Sequence, residues 1–357
     1  MPNNLQMYHK VRRQFCQWLP KERSTRITNM ALFITGLYLS GEPYLSKIVR
    51  KWPLAGKLTS LTNRLWRFLN NPRVDVEYWY APIAQEIVRH LPTGPITLVV
   101  DTTKVGFLHR VLTIGVAFKK RTLPLVWSVR RGRKGHTKVD EQLALFKKVA
   151  KILPKNVDIW VVGDTEFQSV RLLRWFSQRH WHFVIRQQGK NKVRWSEQSW
   201  IKINALKITQ GQTKVIGWVR LTSKHDDGWY WLLLHWDNAE DEPWYLISDQ
   251  SGKSALLRIY RKRMWIEEMY GDMKGHGFDL EATHLKDANR ISRFFLGISI
   301  VFVWLITLGS WVVKRGFRHV VDHKSRRDKS YFRIGWDWIE RCLSLQRNFL
   351  FHFRPYF

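Results

Sequence analysis

Between Phe294 and Val313 the chain reads FFLGISIVFVWLITLGSWVV, with Arg293 before it and Lys314 after it. No charge interrupts this run. It is long enough to cross a bilayer. The alternative is a helix apolar all round and buried on every side, which requires a core large enough to enclose it. The segment itself fits either setting. A chain of 357 residues has length for two or three domains, one with a sizeable core.

The formal net charge is +31, spread along the whole chain rather than gathered in a tail. Such a surface attracts polyanions, with nucleic acid first and anionic membrane second. The ordinary hydrophobic fraction argues against disorder. Cys16 and Cys342 stand alone in sequence, so neither a zinc site nor a disulfide scaffold is indicated, and a reducing cytoplasm fits. The opening MPNNLQMYHK lacks the apolar core of a signal peptide.

Residues 1–93 read as a helical, basic DNA-binding domain. Tyr44–Val49 and Leu58–Leu69 carry apolar residues at helical spacing, with Pro53 and Gly56 between them. In LTSLTNRLWRFLNN, Thr62, Asn63, Arg64 and Arg67 flank a stripe of Leu58, Leu61, Leu65 and Phe68. This is either the DNA-facing helix of a helix-turn-helix, with Arg64 and Arg67 as contacts, or an ordinary surface helix. From Gly94 the pattern changes to strands. ITLVVDTT, RVLTIGVAF and TLPLVWSVR form a meander, and strands then alternate with helices through VDIWVVGD and HFVIRQ. Over 94–189 this predicts an α/β fold with a mixed sheet covered by helices. Residues 190–246 hold short Trp-rich runs and read as an all-β insertion. Over 247–316 a long helix from about Ser254 to Lys274 precedes the apolar one. Residues 317–357 form a basic, aromatic and largely helical tail.

Asp101 ends the run LVVD and Asp164 ends IWVVGD. A carboxylate at the end of a buried strand is costly unless paired or metal-bound. Either each Asp caps a loop, or the two form a like-charge pair that a hard cation such as Mg²⁺ would resolve. The helix YRKRMWIEEMYGDMK favours the second. Its Tyr260, Arg263, Glu267 and Lys274 fall within roughly a 60° arc at 100° per residue, while Glu268 projects to another face. A third carboxylate, Glu267, completes a two-metal site for phosphoryl chemistry, and the two cations suit phosphates beside the cut. The loop RRGRKGHTK (Arg130–Lys138) is either a DNA-backbone contact or a solvated loop. The histidines show no metal-ligand spacing.

The spacing Tyr260-x2-Arg263-x3-Glu267-x6-Lys274 resembles the signature of the insertion-sequence-four family of bacterial DDE transposases. VVDTT, VVGDTEF and GHGFDLEATHL are similar to that family as well, and the resemblance covers roughly residues 40 to 345. It implies a ribonuclease H-like core with a β-rich insertion between the second Asp and the Glu, and a long apolar helix packed under the sheet rather than in a membrane. It implies Asp101, Asp164 and Glu267 as ligands of two Mg²⁺ ions, with Mn²⁺ as a substitute. Tyr260, Arg263 and Lys274 would position phosphates. Trp244, in WYLIS, would stack on a base extruded during hairpin formation. The expected partners are terminal inverted repeats and target DNA, engaged by a homodimer in the bacterial cytoplasm at the nucleoid. The expected activity is cut-and-paste cleavage and strand transfer by an endonuclease that excises an insertion sequence. A catalytically silent DNA-binding protein and a ribonuclease H-like nuclease are the alternatives.

Overall fold

The protein is described by a computed structural model over residues 2–135, 137–196, 199–224 and 227–357, with the backbone alone for Asp227. The basic loop therefore contains one position outside the described residues, His136. The β-insertion contains four: Glu197, Gln198, His225 and Asp226.

Five helices open the chain: α1 (Asn3–Trp18), α2 (Ser24–Ser40), α3 (Leu45–Val49), α4 (Leu58–Asn70) and α5 (Val76–Arg89). Asp75 caps α5 by accepting the Tyr78 amide at 2.7 Å. In α4 the buried stripe is Leu61, Leu65, Phe68 and Leu69, whereas Leu58 is half exposed at the first turn.

The meander follows as β1 (Ile96–Val105), β2 (His109–Phe118) and β3 (Arg121–Arg131). Then come α6 (Val139–Ile152), β4 (Ile159–Gly163), α7 (Val170–Ser177) and β5 (His182–Arg186). The insertion supplies β6 (Lys192–Arg194), β7 (Ile201–Lys202), β8 (Thr213–Leu221), β9 (Asp227–His235) and β10 (Trp244–Ser248). All ten strands belong to one mixed sheet, ordered β3-β2-β1-β4-β5-β10-β9-β8-β6-β7. The strands of the insertion thus extend this sheet. The last of them pairs antiparallel with β5, Leu246 opposite Arg186, and carries the others outward from that edge.

The long helix also differs from expectation. It is α8 (Lys253–Tyr260), a 3-10 turn over Arg261–Arg263, then α9 (Met264–Met273). Lys274 lies past its end, with non-helical φ −102° and ψ −125°.

Helix α10 (Ala288–Lys314) is the apolar run, and α11 (Tyr331–Ser344) follows. Among the described residues α10 is the one helix long and apolar enough to cross a membrane, yet 89% of its most apolar window is buried inside the protein. It is enclosed from several sides: Phe33 of α2 meets Phe294, Trp127 of β3 meets Phe295, and Phe332 of α11 stacks on Phe302. Two glycines let α10 and α11 touch backbone to backbone. A Cβ on Gly309 would lie 1.9 Å from the Tyr331 carbonyl, and one on Gly335 would lie 2.0 Å from the Leu305 carbonyl.

The N-terminal helices share this core. Tyr80 donates to the Pro124 carbonyl at 2.7 Å, and Phe15 and Trp18 of α1 pack on Phe351 and Phe353 of the C-terminal tail. The boundary expected at residue 93 therefore marks a change of secondary structure within one continuous hydrophobic cluster.

Candidate active site

Parallel pairing of β1 with β4 sets Ile96 against Ile159 and Val99 against Val162. Continuing that register past Val99 and Val162 brings Asp101 beside Asp164 at the same sheet level. Neighbouring strands lie about 4.8 Å apart, and paired residues point to the same face. Two carboxylates are thereby held next to each other at the carboxyl end of the parallel strands.

Their surroundings differ. Asp164 is half-buried and closes a 3-10 turn by accepting the Glu166 amide at 2.9 Å. Asp101 is 1% exposed; its side-chain oxygens accept no well-formed hydrogen bond, and the adjacent Thr102 amide gives them only a weak backbone contact. Burial pushes its carboxyl up to about 7; the negative charge of Asp164 adds to this, and Lys134 and Arg263 oppose it. A buried carboxylate with so little hydrogen bonding is among the most costly groups a fold can carry. A hard divalent cation between Asp101 and Asp164 would remove that cost.

Glu267 stands on α9, and Arg263 donates to its Oε1 at 2.5 Å. Burial alone would lower the Arg263 pKa, but Tyr260, Glu267, Asp101 and Asp164 around it together raise it. The guanidinium thus sits in the combined field of the three carboxylates that sequence analysis singled out. Glu267 is committed to that ion pair. Among the described residues no three His, Cys, Asp or Glu side chains stand close enough to hold one ion. The structure therefore brings Asp101 and Asp164 together, with Glu267 tied off by Arg263.

The other expected contacts fall differently. Tyr260 is 2% exposed, and burial raises its pKa well above the ordinary phenol value. Trp244, 6% exposed on β10, packs edge-on against it at 5.1 Å. Both side chains are buried in this structure, so neither the phenol of Tyr260 nor the indole face of Trp244 is open to solvent. Together they are a core pair behind Arg263. Lys274 pairs with Glu281 at 2.6 Å rather than with Glu268 or Asp272. Those two carboxylates both bind Arg121 of β3, which fastens α9 to the sheet. Arg64 donates to Asn29 of α2 at 2.8 Å, so it serves the bundle, whereas Arg67 is exposed.

Several contributors escaped the sequence reading. Tyr270 of α9 donates to the Asp101 backbone carbonyl at 3.1 Å. Glu166 accepts from the Thr137 amide at 2.7 Å and the Thr137 hydroxyl at 2.5 Å, anchoring the basic loop beside Asp164. Lys134, on that loop, reaches Asp101 with its field. The motif GDTEF and the basic run were visible signals, but nothing local linked them.

Residues 129–304 match the family described as Transposase DDE domain. That segment, a little under half of the chain, is similar to a transposase DDE domain. That domain marks an enzyme of the DDE transposase type. The match begins inside β3, so it takes in Asp164 and Glu267 and stops short of the strand bearing Asp101. No curated protein matches the chain. Among solved structures, the piggyBac transposase synaptic complex with hairpin DNA, seen by cryo-electron microscopy, is similar at TM-score 0.47 and 12% identity. The alignment covers 95% of this chain and 78% of that one. Within the DDE domain the sheet supplies Asp164 and the helical segment supplies Glu267; β1, outside the match, supplies the aspartate whose electrostatics are most perturbed.

Proposed function

We propose that this transposase frees and joins DNA ends by divalent-metal chemistry at Asp101, Asp164 and Glu267, in a cut-and-paste reaction through a hairpin intermediate. The single observation that supports it most is Asp101, buried beside Asp164 with no side-chain hydrogen bond to its carboxyl. The strand order β3-β2-β1-β4-β5, an antiparallel meander followed by two strands parallel to the first, supports a ribonuclease H-like reading of the core.

Asp101 and Asp164 would hold Mg²⁺, with Glu267 as the third ligand once Arg263 lets it go. When bound, two such ions supply the polarisation that makes a water or 3′-hydroxyl nucleophilic and steady the departing oxygen. The protein's own part is positional. Arg121 and Tyr270 fix α9 against β3 and β1. Arg263 and Lys134 place positive charge where a phosphodiester would lie, and Arg263 would exchange Glu267 for phosphate. Arg67 and the groove of about 380 Å³ between α3 and α4 would take DNA away from the cut. Terminal inverted repeats would be engaged by two copies.

Nicking of supercoiled DNA carrying the element's ends, in Mg²⁺, tests the reading. Asp101→Asn, Asp164→Asn and Glu267→Gln should each abolish nicking while end binding persists, because Lys and Arg supply the affinity. Wild-type protein that binds ends yet never nicks them would point to a silent DNA-binding protein. Cleavage of RNA–DNA hybrids alone would point to a nuclease.

A further inference from the structure

The strand that carries Asp101 runs on past it into a tight turn. Val105 pairs with His109, and Gly106, Phe107 and Leu108 cross between β1 and β2. The backbone of this tip is fixed. Gly106 has φ +54°, and a Cβ there would come within 3.2 Å of the Thr283 carbonyl; the Leu108 carbonyl accepts the Gly132 amide at 2.9 Å. The side chains are not covered. Phe107 is 75% exposed and Leu108 51%, so the most exposed large apolar side chain in the described residues sits on a rigid tip.

A single exposed apolar residue needs no explanation. Here two adjoin, and cations frame them. A cavity of about 500 Å³ beside the tip is lined by Phe107 and Leu108 together with Lys104, Arg131, Arg133 and Lys134. The four cations are exposed, and none forms a salt bridge among the described residues. Lys134 links this groove electrostatically to Asp101. A second copy of the chain would bring the same four charges against these four, so self-association through the tip is opposed. A polyanion with apolar faces stacked inside it is the complementary partner, and duplex DNA is that molecule.

We propose that Phe107 and Leu108 form a wedge that enters a base step of duplex DNA while Lys104, Arg131 and Arg133 hold the phosphates on either side. Apolar wedges unstack a step and bend the duplex, and flanking cations recover the cost through backbone contacts. Asp101 and the tip are separated by the rest of β1 and part of the turn, roughly 15–20 Å at 3.3 Å per residue. At 3.4 Å per base step this places the wedge about five base pairs from the phosphate at the carboxylates. The inference rests on the proposed DNA chemistry at Asp101 and adds the feature that would bend DNA beside it.

The test uses the full chain and a nicked duplex of arbitrary sequence, with 2-aminopurine placed at successive steps outward from the nick, in Ca²⁺. Wild-type protein should raise the fluorescence of one step, about five base pairs from the nick. Phe107→Ala with Leu108→Ala should lose that peak while still binding at low salt, and Phe107→Trp should keep it. Lys104→Ala and Arg133→Ala should keep the peak per bound complex but weaken binding and flatten its salt dependence. A peak unchanged in the double variant overturns the proposal. So does a double variant whose sole change is a smaller oligomer, since the tip would then face a second copy. The same protein assayed for nicking in Mg²⁺ keeps the two readings apart. Nicking without any unstacked step removes the wedge and leaves the carboxylate chemistry; an unstacked step without nicking does the reverse.

Discussion

Asp101 should make the metal-free protein less stable as pH rises, and Asp101→Asn should remove that slope. The carboxyl moves from 3.8 in the unfolded chain to about 7 in the fold because burial outweighs the opposing pull of Lys134, Arg263 and the Thr102 amide. Between those values the folded state holds a proton that the unfolded state has released, so unfolding free energy falls with increasing pH. The penalty is absent below pH 4 and complete above pH 7. Taken at face value it is about 4 kcal/mol. Local relaxation and entering water would reduce that figure. For 357 residues, about 4 kcal/mol corresponds to roughly 5 °C in melting temperature. Asparagine carries no charge, but it buries an amide whose donors lack acceptors, at a cost of about 1–3 kcal/mol. The diagnostic is therefore the difference in slope, not the absolute stability of the variant. Thermal unfolding from pH 5 to pH 8.5, with chelator and then with Mg²⁺, reads it. Wild-type protein should lose stability across that range in chelator and recover it in Mg²⁺ at the alkaline end. Asp101→Asn should be flat in chelator and indifferent to Mg²⁺. Parallel wild-type and variant slopes in chelator would show that Asp101 is already solvated or paired, and the case for a cation there would fail.

Other outcomes follow from the same contacts. Arg263→Ala frees Glu267, so Mg²⁺ binding by calorimetry should tighten in the absence of DNA even as DNA cleavage falls; an unchanged metal affinity would mean that the Arg263–Glu267 pair does not restrain the site. Trp244→Ala should cost about 3–5 kcal/mol in denaturant unfolding, as for a buried aromatic, and slow nicking and hairpin formation alike; a selective loss of hairpin formation at full stability would restore a base-stacking role. Arg67→Ala should weaken DNA binding and lower its salt slope by about one unit without changing the melting curve, whereas Arg64→Ala should lower stability by about 1 kcal/mol through loss of the Asn29 bond.

The central strands and their helices were legible because their signals are local. LVVD and IWVVGD are aliphatic runs bounded by turn residues, and EQLALFKKVAKIL repeats at helical spacing, so β1, β4 and α6 fall where the pattern puts them. The buried setting of α10 became legible only through the resemblance, since its own sequence suits lipid as well as protein. What settles it physically is contact from α2, β3 and α11 at once, a long-range property. For the same reason nothing in the Trp-rich stretch announced that β10 would join β5, because an edge-to-edge pairing depends on the partner strand and not on the strand's own pattern.

The signature helix shows why a correct motif can still misplace side chains. The arc joining Tyr260, Arg263, Glu267 and Lys274 assumed an unbroken α-helix. Residues Arg261–Arg263 instead form a 3-10 turn, which advances about 120° per residue rather than 100° and so adds about 60° of rotation between Tyr260 and Glu267. That rotation sends Tyr260 inward against Trp244 and leaves Glu267 near the carboxylate end of the sheet. No glycine or proline marks the change; the residues are Arg-Lys-Arg. Arg261 pairs with Asp237, Lys262 donates to the Thr97 hydroxyl at 3.0 Å, and Arg263 turns to Glu267, so each is drawn to an anchor in a different direction. The three side chains thus reach anchors beyond β9, on β1 and on α9 from three successive residues, and the turn that carries them is the step at which Glu267 leaves the azimuth an unbroken α-helix would give it.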